Sequence, residues 1–172
     1  SDLVILNMTL AEALDSLADI EEEKMTDAES NIGKAQRSIN KAAEGEDTSS
    51  AQATIESEKK ILEASTEEFR VKREESITPY IYVSEHETDP LRRGYAIMKT
   101  VEAMLDLKKF DQLMELLPPL YTTDARYDIR VNLALMKAAS SLFEAEQYDE
   151  ALPLYRMILP REVLIEFQTK RV

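Results

Sequence analysis

The fold of this chain is decided by residues 132–155, with the sequence NLALMKAASSLFEAEQYDEALPLY. Apolar residues recur there at intervals of three and four, as in Leu135, Ala138 and Leu142, and the same spacing resumes after Gln147. Such spacing places apolar side chains on one face of a helix. The stretch therefore predicts two amphipathic helices that are joined by a short turn and pack against each other.

A weaker version of this pattern lies upstream, over residues 94–117. Lys109-Phe110-Asp111-Gln112 parallels Gln147-Tyr148-Asp149-Glu150, and the two aromatic residues are 38 positions apart. A helix pair repeated about every 34 residues is typical of tetratricopeptide repeats. The chain resembles that family, best over 132–155 and more weakly over 94–117. The residues that carry the better match are Leu135, Ala138, Ala139, Tyr148, Ala151 and Tyr155.

The resemblance implies an α-solenoid of stacked helix pairs over residues 90–172, in which the matching aromatic residues fill the core. The segments expected to be helical are about 90–106, 109–117, 124–146 and 148–159, with a fifth from Arg161. Arrays of this kind usually need at least three repeats for stability. We therefore expect either that the preceding helices cap the solenoid or that it continues beyond Val172.

The segment 1–78 predicts a long antiparallel, coiled-coil-like helical hairpin. Two successive apolar stripes precede a break near Gly45. After the break, Ile55, Leu62 and Phe69 recur at intervals of seven residues. Two long amphipathic helices with a short connection pair side by side. The stripes predicted for the first helix are Leu3, Leu6, Leu10, Leu14 and Leu17, then Met25, Ala28, Ile32, Ala35, Ile39 and Ala42.

The second helix of this hairpin has a thin seam, because Glu58 and Lys72 occupy positions where a strong coiled coil has leucine. It is expected to end near Thr78, since the residue before a proline avoids helical dihedrals. Residues 79–89 alternate aromatic and aliphatic side chains at first, which predicts an extended linker. The thin seam leaves three alternatives: a third helix covers it, its far end frays, or two chains pair.

The composition is that of an acidic chain without cysteine. The formal net charge is −13, of which residues 1–78 contribute −10 (9 basic against 19 acidic) and residues 79–172 contribute −3 (12 against 15). An acidic surface repels phosphate groups, so we expect no nucleic-acid partner. The charge serves solubility or attracts a basic partner. No apolar run approaches the roughly 20 residues of a membrane span. We expect a soluble protein in the cytoplasm or, if a signal sequence was removed, in a bacterial periplasm.

No pattern in the sequence indicates catalysis, a cofactor or a metal. Neighbouring acids such as Glu67 and Glu68 point to different sides of a helix and cannot work as an acid–base couple. The chain has one histidine, His86, flanked by acids, whereas a structural zinc site needs about four converging ligands. We therefore expect a protein that is not an enzyme.

The leading hypothesis is a scaffold or adaptor that binds a protein partner. In the family that the chain resembles, the first helices of the repeats line a groove for a peptide or a helix. The groove residues carried over to this chain are Tyr95, Met98, Lys99, Glu102, Leu105, Leu133, Met136, Lys137, Ser140 and Phe143. Methionine and aromatic side chains suit an apolar or amphipathic segment. Burial of Met98 and Met136 in the core is the competing interpretation.

A second hypothesis makes the chain an oligomerisation module. In it, the N-terminal hairpin pairs with another copy, and the homo-oligomer completes the thin seam.

Overall fold

The structure is a computed structural model that describes residues 1–43, 46–121 and 124–169, with side chains for 1–43, 46–117 and 126–166. The described residues form helices and no strand, so the predicted all-α class is confirmed. Gly45, at the predicted break, and Val172, beyond which one of the two predicted alternatives continues the array, lie outside the described residues, whereas residues 46–48 are described and are not helical. The helices are α1 (Asp2–Lys41), α2 (Ser49–His86), α3 (Pro90–Asp106), α4 (Phe110–Tyr121), α5 (Ile129–Glu144), α6 (Tyr148–Met157) and α7 (Arg161–Thr169), with a 3-10 helix at Asp124–Tyr127.

The chain divides into two compact units. The hairpin unit is residues 13–72, and the repeat unit is residues 1–12 together with 73–172. Each of the two long helices contributes residues to both units. The repeat unit therefore takes in the start of α1 and the end of α2, which the sequence pattern assigned to the hairpin and the linker.

In the hairpin unit, α1 and α2 pair in an antiparallel sense, as predicted. Asn31 Nδ2 donates a hydrogen bond to Glu58 Oε1 at 3.2 Å, and nearer the start of α1 the Ser65 hydroxyl donates to Glu21. Contacts that move forward on one helix and backward on the other define antiparallel packing. The most buried side chains are small, which lets the two backbones approach closely. They are Asp15, Ala18, Ala28, Ala35 and Ser65.

The prediction for the first apolar stripe of α1 is wrong. Leu3, Leu6 and Leu10 are exposed, as is Leu17, and only Leu14 of that stripe is partly buried. The residues that are buried instead lie one position further along the helix than the leucines. In the repeat unit they are Val4 and Ala11, which belong to a cluster with Tyr80, Val83 and Ala96. The physical reason is size, because small side chains permit the close packing that leucine would prevent.

The extended linker predicted for residues 79–89 is also wrong over most of its length. Helix α2 continues through Pro79 to His86. Ile77, Tyr80 and Val83 recur at helical intervals and are buried. A proline inside a helix costs about 3 kcal/mol, and burial of a large apolar side chain stabilises by roughly 1.5–3 kcal/mol. Burial of three such side chains therefore outweighs the local cost of the proline.

The helix pairs α3–α4 and α5–α6 share the same turn, so the internal repeat extends to the backbone. Each first helix is followed by a residue in the left-handed region, Lys108 with φ 56° and Glu146 with φ 61°. The next residue donates its N–H to the carbonyl five positions earlier, at 2.8 Å in the first pair and 2.9 Å in the second. This is the Schellman arrangement that ends many helices. The two turns therefore recur at the same offset along the chain as the aromatic residues Phe110 and Tyr148, as the sequence predicts.

A buried asparagine, which the sequence pattern does not single out, joins three segments of the repeat unit. Asn132 Nδ2 donates to the carbonyls of Arg126 at 2.7 Å and Asp128 at 3.0 Å. Its Oδ1 accepts the Leu159 N–H at 2.8 Å, and the residue is 4% exposed. Asn132 therefore fixes the 3-10 helix, the start of α5 and the connection from α6 to α7 relative to one another.

Candidate protein-binding face

The first helices of the two pairs, α3 and α5, lie close together at their N-terminal ends. Asp128 caps α5, with its carboxylate accepting the Arg130 N–H at 2.8 Å, and it lies directly against Gly94 of α3. A Cβ at position 94 would be 2.3 Å from Asp128 Oδ2, well inside contact distance. Arg130 also donates from Nη2 to the Leu91 carbonyl of α3. The glycine therefore permits the close approach that sets these two helices side by side.

The face predicted from the sequence spans both helices. We call Tyr95, Met98, Lys99 and Glu102 of α3, with Leu133, Met136, Lys137 and Ser140 of α5, the repeat face. Glu102 lies between two lysines, with its carboxylate 3.6 Å from Lys99 Nζ on its own helix and 4.0 Å from Lys137 Nζ on α5. The structure thus brings the two predicted halves of the face together, joined by a charged strip in the middle.

The α3 half of the repeat face is largely occupied by packing within the chain. Tyr95 is half-buried and meets the ring of Tyr80 edge-on, with 6.3 Å between centroids. Met98 and Leu105 are half-buried against the main core cluster. For Met98 the structure therefore favours the competing interpretation of a core residue. The α3 half of the repeat face therefore exposes few apolar groups to a partner.

The α5 half of the repeat face is open. Leu133 is 52% exposed, Met136 46% and Phe143 54%, and they follow one another on the same side of the helix. With Ser140 between the last two, they form a row that we call the α5 row. The opposite side of α5 is buried, so the helix has two apolar sides, and the side that carries the row is left about half exposed. The buried residues of the opposite side are Val131, Ala134, Leu135, Ala138, Ala139 and Leu142.

Two tyrosines of α6 widen the α5 row. Tyr155 Oη lies 3.3 Å from Ser140 Oγ, and the Tyr148 ring meets the Phe143 ring edge-on at 5.1 Å. Both tyrosines are exposed, so the expectation that they fill the core is wrong, and only Ala151 of the matching residues in α6 is buried. Their recurrence with Leu152 at intervals of four and three was the available sequence signal for a second exposed stripe.

A cleft of about 430 Å³ lies at the N-terminal end of α3, within the repeat unit. Its two arginines are already paired: Arg130 lies 2.6 Å from Asp128, and Arg92 lies 4.0 Å from Glu87. Hydrogen bonding to Asp128 raises the pKa of Arg130 above its ordinary value. Both arginines of this cleft are thus engaged by acids of the chain, so neither offers an unpaired positive charge to a ligand. The lining residues are Val4, Ile5, Met8, Thr9, Glu12, Glu87, Leu91, Arg92, Tyr95 and Arg130.

The acids and the histidine do not assemble into a metal centre in the part of the chain that the structure describes. His86 instead stacks on Tyr82, with 4.1 Å between ring centroids, and its Nδ1 lies 2.8 Å from the Tyr82 carbonyl. Among the described residues, no helix has the length and apolar character needed to cross a membrane. Comparison with protein-family models, with curated proteins and with solved structures finds no match.

Proposed function

We propose that this protein is a non-enzymatic scaffold or adaptor that binds a peptide or helix of another protein through the α5 row. The observation that carries the proposal is the second apolar side of α5, where Leu133, Met136 and Phe143 are each about half exposed. Contiguous exposed apolar groups on a folded protein are typical of interaction surfaces. The tetratricopeptide resemblance supports the same location, because it places partner binding on the first helix of each pair.

The chemistry of the row suits a segment with its own apolar face. Methionine adapts to irregular surfaces, and aromatic rings contribute large contact areas with little loss of side-chain freedom. The row runs along one rigid helix that is held by a fully buried opposite face. A helix-in-groove mode, in which the partner inserts side chains at intervals of three and four, therefore fits this surface better than an extended strand does.

A displayed library of helical peptides, selected against the full chain, tests the proposal. Met136→Glu should abolish binding of the selected peptides, because it places a charge in the apolar contact. The matched control is Ile61→Glu on α2, since Ile61 is 45% exposed and lies outside the row. The control should leave binding unchanged. Selection of no peptide, or of peptides that tolerate Met136→Glu, contradicts the proposal.

A second candidate function is self-association through the start of α1. Leu3, Leu6 and Leu10 lie at coiled-coil intervals in the repeat unit and are all exposed, Leu6 by 63%. The favoured assembly is a homo-oligomer in which these leucines meet those of another copy. Sedimentation of the chain over a range of concentrations tests it, with Leu6→Glu expected to give a monomer and Ile61→Glu to change nothing. A chain that stays monomeric at high concentration rules this function out.

A further inference from the structure

Acidic side chains cluster at the Phe143 end of the α5 row. Four exposed acids are close to Phe143 and Tyr148 in the sequence, namely Glu144, Glu146, Asp149 and Glu150. Residues 138–155 contain no lysine or arginine. Lys137 is exposed beside Met136 near the middle of the row, and its Nζ lies 4.0 Å from the Glu102 carboxylate. We propose that the row binds an amphipathic helical segment of another protein whose basic residues lie over the Phe143 end. This inference rests on the proposed function of the row.

The acids at the Phe143 end are not explained by the stability of the fold alone. Asp149 and Glu150 lie in the first turn of α6, where negative charge is favourable to the helix dipole. Glu144 and Glu146 lie at the C-terminal end of α5, where negative charge is unfavourable. No described residue forms a salt bridge with any of these four acids. Two of them therefore oppose the local helix and lack a partner in the described part of the chain, which is consistent with a role toward a cationic ligand.

The size of the row defines the size of the partner segment. From Leu133 to Phe143 the row is about 15 Å long, at a rise of roughly 1.5 Å per residue. A partner helix of about three turns covers it, with apolar side chains at intervals of three and four. Tyr148 and Tyr155 lie beside the row and add aromatic contact area for the partner.

The charge distribution argues against a second copy of this chain as the occupant. The apolar stripe at the start of α1 is an exposed segment that could dock on another copy. Residues 1–23 contain seven acidic side chains and no lysine or arginine. That segment would bring like charge to the Phe143 end of the row, and like charges in contact disfavour association. The row therefore fits a basic heterologous segment.

The experiment uses the displayed helical library with randomised polar positions, and the full chain as target. Enriched peptides are expected to carry Lys or Arg clustered at one end and apolar residues at intervals of three and four. A charge-neutral variant then carries Glu144→Gln, Glu146→Gln, Asp149→Asn and Glu150→Gln. Its affinity for an enriched peptide should fall about tenfold at low salt, because each exposed charge pair contributes up to a few-fold. The loss should shrink as salt screens the charges.

The matched control neutralises four exposed acids of α2, as Glu56→Gln, Glu63→Gln, Glu67→Gln and Glu68→Gln, with the same change in net charge. It should alter the affinity by less than about twofold, since these acids belong to the hairpin unit and are not part of the row. Peptides that are lost with Met136→Glu but carry no basic excess, or that bind the charge-neutral variant unchanged, overturn this inference and leave the proposed function standing. Equal losses in the two neutralised variants also overturn it. Failure of Met136→Glu to affect binding overturns both proposals.

Discussion

Replacing Gly94 by alanine should destabilise the repeat unit, although alanine is the better helix former. Within a helix, glycine is less favourable than alanine by about 1 kcal/mol, so local propensity alone predicts a gain. The new Cβ would, however, lie 2.3 Å from Asp128 Oδ2 and 2.7 Å from its Cγ. The Asp128 side chain must then leave its position. The tertiary contact therefore decides the sign of the effect.

The size of the destabilisation by Gly94→Ala follows from the interactions that the Asp128 side chain makes. Its carboxylate caps α5 through the Arg130 N–H, a contribution of about 1 kcal/mol. It also accepts hydrogen bonds from Arg130 Nε at 3.0 Å and from Arg130 Nη2 at 2.6 Å. That guanidinium is about one-third exposed, so the pair contributes about 1 kcal/mol after allowance for solvent screening. Displacement of the neighbouring backbone adds to these losses. With the gain in propensity subtracted, we expect a net loss of about 1–2 kcal/mol.

Thermal unfolding followed by circular dichroism measures the effect. For a chain of this size 1 kcal/mol corresponds to about 2–4 °C in Tm, so Gly94→Ala should lower Tm by about 2–8 °C. Gly33→Ala is the matched control, because the nearest atom to its new Cβ is Arg37 Nη1 at 3.9 Å. That control should raise stability by about 1 kcal/mol.

A double substitution isolates the contact itself. Asp128→Gly removes the obstructing side chain and keeps an acceptable N-cap residue. In that background Gly94→Ala should change sign and stabilise by about 1 kcal/mol. If Gly94→Ala stabilises the otherwise unchanged chain as much as Gly33→Ala does, the reasoning about the Gly94–Asp128 contact is refuted.

Four further substitutions test other parts of the structure. Lys108→Gly and Glu146→Gly should each stabilise by about 0.5–1 kcal/mol, because glycine adopts the left-handed conformation of these two turns without strain; a lower Tm in both variants would contradict the assigned turns. Asn132→Ala should lower the free energy of unfolding by about 2–4 kcal/mol in urea titrations, since it removes the three hydrogen bonds of a buried side chain. A loss below about 0.5 kcal/mol would show that these bonds do not form. Hydrogen bonds from Ser49 lower the pKa of Asp47 below its ordinary 3.8. The Asp47 carboxylate therefore contributes stability above about pH 4 that is lost as the pH falls through the folded-state pKa. The Tm difference between the chain and Asp47→Asn should shrink from about pH 5 to about pH 2.5. A constant difference would show that the hydrogen bond from the Ser49 N–H to Asp47 does not stabilise the fold.

The helical elements were predictable because their signals are local. The spacing of Leu135, Ala138 and Leu142 depends on neighbouring residues only, and so does the aromatic–acid turn that occurs at Phe110 and again at Tyr148. Asp89 and Pro90 likewise form a local helix start, and the structure begins α3 at Pro90 with Asp89 as its cap. Local physics thus suffices for the number and order of the helices in the described residues.

Two errors arose where tertiary packing overrides local pattern. The N-terminal half of α1 supports two apolar registers, and the pattern alone favours the leucines. The structure buries the register of Val4 and Ala11, because the packing there requires small side chains. Pro79 is a strong local signal for a helix end, but burial of Tyr80 and Val83 continues the helix. Neither outcome can be obtained without knowing which elements meet.

The candidate site was predictable in part. The family resemblance places Leu133 and Met136 on one face, and the structure leaves both exposed there. The resemblance could not show that Tyr95 and Met98 on the other helix are partly covered. Their burial depends on the packing of neighbouring helices, as in the cluster that Tyr80 forms with Tyr95. That the exposed half binds another protein remains a proposal.

The most direct measurement is a ¹³C-methyl NMR titration of the methionines with a selected peptide. The chain has seven methionines, so each methyl signal can be assigned by single substitution. If the α5 row is the binding surface, the methyl signal of the exposed Met136 shifts most, and the methyl signal of Met25 in the hairpin unit does not shift. A peptide that binds and shifts Met25 or the buried Met104, while Met136 remains unmoved, would contradict the assignment of the α5 row as the binding surface.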